Sequence, residues 1–200
     1  ILELFTKKAV PYDPIKDFTP ITAIADSVLA LAATGSFAPG TIKELIEYAR
    51  RNPGKLSYGS TSVGGITHLA MEQLIMLAGV EMTHVPYKGG GPLSTNLMGA
   101  QIPLAAMPLV ALMPHIRAGK VKVLGLFLSS RYQGMPEVPT VAESVAGYQN
   151  LDGSGVWVFG PAGLPDAVVQ RIRSVIVAAL NVPENRKTID AFLRYHRAQG

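Results

Sequence analysis

The stretch "YGSTSVGGITHLAMEQL" (residues 58–74) places three hydroxyl residues and two adjacent glycines in front of an amphipathic run. The hydroxyls belong to Ser60, Thr61 and Ser62, and the glycines are Gly64 and Gly65. A loop of this composition can carry a nucleophilic serine, cradle the phosphates of a nucleotide, or hold another anion on its backbone amides. It can also be a turn that does nothing more than cap a helix.

The sequence lacks residues that a nucleophilic serine or a nucleotide-binding loop requires. A nucleophile elbow needs Gly-x-Ser-x-Gly, but Ser60 stands where the first glycine belongs, and no base or acid has a spacing that suggests a triad. A P-loop needs Lys after its glycines, and a dinucleotide loop needs Gly-x-Gly-x-x-Gly. We therefore expect no enzyme, and a serine hydrolase or transferase using Ser60 or Ser62 is the alternative.

Anion binding requires fewer specific residues than nucleophilic catalysis or nucleotide binding does. A strand ends, small residues allow a tight turn, and a helix begins with unpaired N–H groups and the positive end of its dipole. Ser60, Thr61 and Ser62 add hydroxyl donors, and Gly64–Gly65 lets a ligand approach the backbone. His68 is a candidate contact one turn into the helix, although packing and a hydrogen bond to a loop carbonyl is the favoured interpretation for it.

A second loop, "VPYKGGGP", repeats this design after the next strand. Lys88 supplies a cation, Tyr87 an amphipathic ring, and Gly89 opens the glycine-rich turn. Because ligands of α/β sheets collect outside the carboxyl ends of the strands, two such loops in successive βα units favour one shared carboxylate or phosphate site. The alternative for Lys88 is an ordinary exposed lysine.

Apolar strands alternate with helical patterns along the chain, which predicts an α/β fold with right-handed βαβ units and a parallel-rich sheet. "TIKELIEYARRNPG" predicts a helix with Thr41 as N-cap and Glu44 as its capping-box partner. "TVAES" predicts a second capping box from Thr140 and Glu143.

Composition excludes several classes of protein. Apolar residues make up 48% of the chain and charged residues 16%, so the chain can bury a core and is not disordered. The net charge is +4 without a basic stripe, so we expect no nucleic-acid partner. There is no cysteine, and no histidine pair has metal-ligand spacing, so we expect no metal and no cofactor. No apolar run reaches the ~20 residues that cross a bilayer.

Several motifs in register carry a resemblance to one family. They are "YGSTSVGGITHLAMEQL", "AGVEMTHVPYKGGGPLSTNLMGAQI", "MPHIRAGKVKVLGL", "MPEVPTVAES" and "VWVFGPAGLPDAVVQRI". In this order they closely resemble the tripartite tricarboxylate transporter substrate-binding receptors, the Bug proteins, over nearly the whole chain.

The resemblance implies a periplasmic receptor of the type II periplasmic-binding-protein fold, a two-lobed "Venus flytrap" that captures a small carboxylate and delivers it to membrane permease subunits. It implies a remnant of lobe one at 1–19, lobe two at 20–152, and a return to lobe one at 153–200. The loop Gly59–Gly65 would hold one end of the ligand, and the loop Tyr87–Gly91 would help to close the cleft.

Two departures from the family accompany the resemblance. The chain begins after the family's secretory signal and first βα unit and looks short at its C-terminus, so we expect a fragment that self-associates through exposed apolar surface. In addition, a segment that usually reads like "GGQVDVMFDSLP" is "GAQIPLAAMPLV" here. Pro103 and Met107 stand where the family commonly has aspartates, and losing the carboxylate at Met107 puts recognition of an amino group, or of a bound water, in doubt.

Overall fold

A computed structural model describes residues 11–150 and 155–185. These residues belong to two compact units. The first unit contains the chain up to Asp26 and the chain from Gly155 onward, and the second begins at Ser27. In the described residues, no helix is both long enough and apolar enough to span a bilayer.

The first unit is a two-stranded antiparallel ribbon with a helix. Strand β1 (Phe18–Asp26) pairs with β7 (Gly155–Pro161), and helix α6 (Asp166–Asn181) follows β7. Because β1 pairs with β7 along its length, residues 20–26 belong to this unit, and the units change after Asp26 and not after Thr19. The assignment of the two units to receptor lobes stays a prediction, and residues 1–10, 151–154 and 186–200 lie outside the described part.

The second unit contains the rest of the described elements. The strands are β2 (Leu29–Thr34), β3 (Ser57–Ser60), β4 (Thr83–Pro86), β5 (Leu104–Pro108) and β6 (Val121–Leu126). The helices are α1 (Ile42–Arg51), α2 (Ile66–Ala78), α3 (Gly90–Met98), α4 (Leu109–Arg117) and α5 (Val141–Ser144). Helix α2 begins directly after Gly65, and α3 begins two residues before Pro92.

The five strands form one sheet in the order β4-β3-β5-β2-β6. Strand β3 is parallel to β4 and to β5, whereas β2 is antiparallel to both β5 and β6. Two of the four strand pairings are therefore parallel and two are antiparallel, so the sheet is mixed and not parallel-rich as the sequence predicted. Alternation of strands and helices along the chain does not reveal this, because β2 is followed by a helix like the parallel strands.

Residues alternate between the two faces of the sheet, as the pleat of a strand requires. Leu29, Leu31 and Ala33 of β2 pack with α1 and α2 in one apolar cluster, while Ala30 and Ala32 pack with α3 and α4 in another. The sheet thus has helices on both faces.

The chain reverses its direction across the sheet at β3. From β3 it passes through α2 to β4 on one side, and from β4 it passes through α3 to β5 on the other side of β3. Helices α2 and α3 lie on opposite faces. The carboxyl end of β3 is therefore a topological switch point, the position at which open α/β sheets bind ligands.

Candidate functional site

The loop that leaves β3, residues 61–65, is defined here as the anion loop. It leads into α2, whose N-cap Gly65 offers no side-chain hydrogen bond and whose first turn has no acidic residue. Within the described part of the chain, the amides of Ser62, Val63 and Ile66 have no hydrogen-bond acceptor. Amides of this kind at a helix start are donors for an anion.

The loop after β4 lies directly beside the anion loop. The amide of Tyr87 donates to the carbonyl of Ser60 over 2.9 Å, and the amide of Gly89 donates to the carbonyl of Thr61 over 3.1 Å. The structure therefore brings the two sequence-predicted loops together at the carboxyl ends of neighbouring parallel strands. The convergence expected from the sequence is confirmed.

The second loop opens α3 in the same uncapped manner. Its N-cap Gly89 has φ +96, a conformation that favours glycine, and it offers no side-chain hydrogen bond. The amides of Gly90 and Gly91 begin the helix, and the next residue, Pro92, has no N–H. Lys88 is exposed, with no hydrogen bond or ion pair to any described residue, so its cation is available next to this helix start.

The predicted site residues differ in what they can offer a ligand. Gly59 is buried, and a Cβ there would lie 2.3 Å from Cδ1 of Leu93, so this glycine allows α3 to pack on β3. The Thr61 hydroxyl faces the Thr67 hydroxyl at 3.1 Å, and Thr61 is half-buried. Ser62 is exposed. Tyr87 is half-buried and packs against the apolar cluster beneath α3.

Several of the predicted donors are used within the protein, among them the amide of Thr61, which donates to Oγ1 of Thr67 over 3.3 Å. Ser60 is fully buried, and its hydroxyl donates to the carbonyl of Ser62 over 2.9 Å. The amide of Gly64 donates to Nδ1 of His68 over 3.0 Å. His68 therefore binds a loop amide, and not a loop carbonyl as the sequence suggested. A direct contact of His68 with ligand remains a prediction.

Sequence reasoning missed His84, which lies behind the anion loop. Its Nε2 is 2.7 Å from Oγ of Ser60. The His84 ring stacks on His68 at 3.8 Å between centroids and 16° between planes, and on Tyr58 at 5.0 Å. The pairing of Tyr58 with His84 in the β3–β4 register brings these rings together. Alternation along a strand could not reveal it, since it depends on which strands pair.

Glu72 closes the outer end of this ring stack. Its Oε1 accepts a hydrogen bond from the Tyr58 hydroxyl and lies 3.6 Å from Nε2 of His68. Burial, followed by the bond to Glu72, raises the pKa of the Tyr58 phenol. Burial, followed by the charge of His68, lowers the pKa of His84, while Glu72 opposes that change. Their surroundings thus favour the neutral forms of Tyr58 and His84.

The Ser60–His84 contact does not provide an activated nucleophile. A carbonyl oxygen only accepts hydrogen bonds, so the Ser60 proton points to the carbonyl of Ser62. His84 Nε2 must then donate to Ser60 Oγ, whereas a general base would accept the proton. Ser60 is also fully buried, out of reach of a substrate. Among the described residues, no three His, Asp or Glu side chains are grouped to hold a metal ion.

Comparison with known proteins decides the family. The family model described as "Tripartite tricarboxylate transporter family receptor" matches residues 2–193. The chain belongs to this family. The resemblance read from the motifs is therefore confirmed, and the family description is that of a receptor and not of an enzyme.

Solved structures agree with the family and with the α/β fold of periplasmic solute-binding proteins. A Rhodopseudomonas palustris protein with adipate, Rpa4515, is 31% identical with a TM-score of 0.81, covering 92% of this chain and 62% of that one. The periplasmic binding protein BugD is 31% identical with a TM-score of 0.74, covering 90% and 60%. MatC of Rhodopseudomonas palustris with bound malate is 26% identical with a TM-score of 0.79, covering 96% and 65%.

The chain spans about half the length of the curated relatives it matches, 55% in several cases.

Proposed function

We propose that this chain carries the ligand-holding part of a periplasmic solute receptor that captures a small dicarboxylate and delivers it to the permease subunits of a tripartite transporter. The observation that carries the proposal is the pair of uncapped helix starts, α2 and α3, side by side at the switch point of the sheet. Family membership and the carboxylates bound by two similar structures support it.

The electrostatics of the two loops suit a carboxylate. Both helix starts present backbone donors and the positive end of a dipole, and neither first turn holds an acidic side chain. Lys88 adds a full positive charge next to α3. A carboxylate accepts several N–H bonds at once, and such charge-assisted bonds are stronger than neutral ones.

The floor beneath α3 favours a ligand without an amino group. Met107 at the end of β5 is fully buried, and the first turns of α2 and α3 hold no acidic residue, so none of these positions offers a carboxylate to a ligand. A thioether cannot neutralise an ammonium group, and burying an unpaired charge is costly. We therefore propose plain dicarboxylates, such as adipate or malate, over amino acids.

Capture would follow the receptor mechanism of two lobes. A ligand that contacts both lobes binds the closed arrangement more tightly than the open one, and so shifts the population toward closure. The assignment of the sheet unit as lobe two, and of the β1–β7 unit as part of lobe one, belongs to this proposal.

Self-association of this chain is part of the same proposal. Strand β7 exposes large apolar side chains, with 57% of Val156, 49% of Trp157 and 54% of Phe159 accessible. Large exposed apolar side chains such as these are enriched at contact surfaces. Light scattering should show a mass that rises with concentration, and a strict monomer at high concentration would contradict this part.

A thermal-shift series tests the binding proposal. Adipate and malate should raise the melting temperature in a concentration-dependent way, as a ligand of the native state must. Aspartate and glutamate should raise it less, and the neutral diamide of adipate should not raise it. Equal shifts from the dicarboxylate and its diamide, or no shift from any carboxylate, would contradict the proposal.

A further inference from the structure

Two histidines are connected to the anion loop by hydrogen bonds, His68 to Gly64 and His84 to Ser62. His68 Nδ1 accepts from the amide of Gly64 over 3.0 Å. His84 reaches the carbonyl of Ser62 through the buried Ser60 hydroxyl, over 2.7 Å and 2.9 Å. The two rings are themselves stacked at 3.8 Å. The loop is therefore held at two residues by one connected unit of two histidines and a serine.

The hydrogen bonds of His68 and His84 determine which ring nitrogen carries the proton in the neutral form of each ring. Because Gly64 donates to Nδ1 of His68, that nitrogen carries no proton, and the neutral ring carries its proton on Nε2. His84 donates from Nε2 to Ser60. A second proton on His68 can therefore be added at Nδ1, where it would meet the N–H of Gly64 and end that hydrogen bond.

The groups around His68 and His84 can balance the charge of one added proton but not of two. Tyr58 on β3 faces the rings as a neutral phenol, and Glu72 on α2 lies 3.6 Å from His68 Nε2. Glu72 is 48% exposed and already accepts from Tyr58, so it balances a single positive ring. Two positive rings stacked at 3.8 Å would repel each other.

We propose that His68 and His84 are positioning residues that hold the anion loop in its ligand-binding form as a neutral stacked pair, and that protonation of His68 releases the Gly64 arm and weakens carboxylate binding. Histidine is the side chain that ordinarily changes charge between about pH 5 and 8. The second half of the statement rests on the proposed function; the first half, the release of Gly64, does not.

NMR of the ¹⁵N-labelled chain tests the release without a ligand. As the pH falls, the imidazole ¹⁵N signals of His68 should report protonation, and the amide signal of Gly64 should move with the same midpoint. His68→Asn keeps an acceptor near the Nδ1 position but cannot take up a proton, so its Gly64 amide should be insensitive to pH. The matched control His115→Asn, which changes a histidine of α4, should retain the wild-type profile.

Binding of adipate, measured by calorimetry between pH 8 and 6, tests the consequence. Wild-type affinity should fall by about fivefold on acidification, the effect of one neutral hydrogen bond. The affinity of His68→Asn should not show this fall. Because residue 68 of the variant cannot be protonated, its pH dependence measures the effect of protonating adipate, and this effect is subtracted from the wild-type curve. His84→Gln, which keeps an amide near the Nε2 position, should retain wild-type affinity at pH 8.

The outcomes separate the two proposals. A Gly64 amide that does not follow His68 protonation overturns the inference, as does a His68→Asn variant with the wild-type pH profile. If His68→Asn does not fold, the wild-type imidazole and Gly64 titrations still decide. If adipate fails to bind at any pH while Gly64 follows His68, the positioning of the loop stands and the proposed function is what fails.

Discussion

Helix α1 begins very differently from α2 and α3, although all three follow strands of one sheet. At α1 the Thr41 hydroxyl accepts from the amide of Glu44, and the Glu44 carboxylate accepts from the amide of Gly40. At α2 and α3 the N-caps are Gly65 and Gly89, with no side-chain cap and no acidic residue in the first turn. The first helix start is satisfied internally, whereas the other two keep donors open.

This difference separates a helix start that is capped by the protein's own side chains from two helix starts that we propose bind a ligand. Glycine is a weaker N-cap than Thr, Ser, Asp or Asn by roughly a few tenths of a kcal/mol, so the two glycine-capped helix starts give up a small amount of stability. Both uncapped starts lie at the switch point, and both precede loops joined by backbone hydrogen bonds. Helix α5, away from that edge, again has a complete capping box of Thr140 and Glu143.

The largest expected effect comes from giving α3 a negative charge of its own. Gly91→Asp places a carboxylate in the first turn, where a Cβ meets no atom within 4 Å. Charge repulsion and competition for the amides should weaken adipate binding by about tenfold, or about 1.4 kcal/mol. The same carboxylate should stabilise the fold by about 0.5 kcal/mol through the helix dipole.

Calorimetry and urea unfolding of the same samples measure the two effects of Gly91→Asp. Gly91→Asn is the matched control, because it has the same shape without the charge. If Gly91→Asp and Gly91→Asn bind adipate equally, the charge at the helix start does not matter and the comparison fails.

The reverse experiment removes the cap from α1. Thr41→Ala should lower the free energy of unfolding by about 1 kcal/mol, because the amide of Glu44 loses its acceptor. Affinity for adipate should not change, since α1 begins after β2 and takes no part in the two loops. Thr41→Ser should keep the stability. A loss of binding in a folded Thr41→Ala protein would contradict the division between the two kinds of helix start.

A smaller effect is expected at the helix C-termini. Helix α2 ends at Gly79 with φ 61, whereas α3 is followed by Ala100 with φ 54, so an alanine occupies a left-handed position. Ala100→Gly should raise the free energy of unfolding by about 0.5 kcal/mol, as relief of the left-handed strain exceeds the added chain entropy. Gly79→Ala should lower it. Urea denaturation of both variants measures this, and a destabilised Ala100→Gly would rule out strain at that position.

Stability should also fall with acid because of the ring stack. The pKa of His84 is lowered in the folded state, so below the ordinary histidine pKa the unfolded chain binds more protons than the folded one. The free energy of unfolding should therefore decrease as the pH falls from about 6.5 through the folded pKa of His84. His84→Gln should flatten this dependence in denaturant titrations, and an unchanged slope in that variant would assign it to other groups.

The predictable parts of the fold depend on local signals. Thr41 and Glu44, three residues apart, predicted the start of α1, although the Glu44 side chain reaches Gly40 and not the amide of Thr41. The two glycine-rich loops were found because each follows a strand and precedes a helix. Their neighbourhood followed from the parallel arrangement of β3 and β4.

The unpredicted parts depend on pairing between distant strands. His84 could be connected with Ser60 and His68 only through the β3–β4 register and the packing of α2 on that face. The antiparallel placement of β2 between β5 and β6 likewise depends on which strands pair with each other. Burial of Ser60, which removes its hydroxyl from a ligand, follows from the same pairing.

In the proposed function, amides without an acceptor at the starts of α2 and α3 bind the carboxylate. A ¹H–¹⁵N titration of the chain with adipate tests it most directly, residue by residue. Saturable shifts should cluster at the amides of Ser62, Ile66, Gly90 and Gly91, with no comparable shifts at the start of α1. Saturable shifts elsewhere with these amides unmoved, or no shifts up to high concentration, would contradict it.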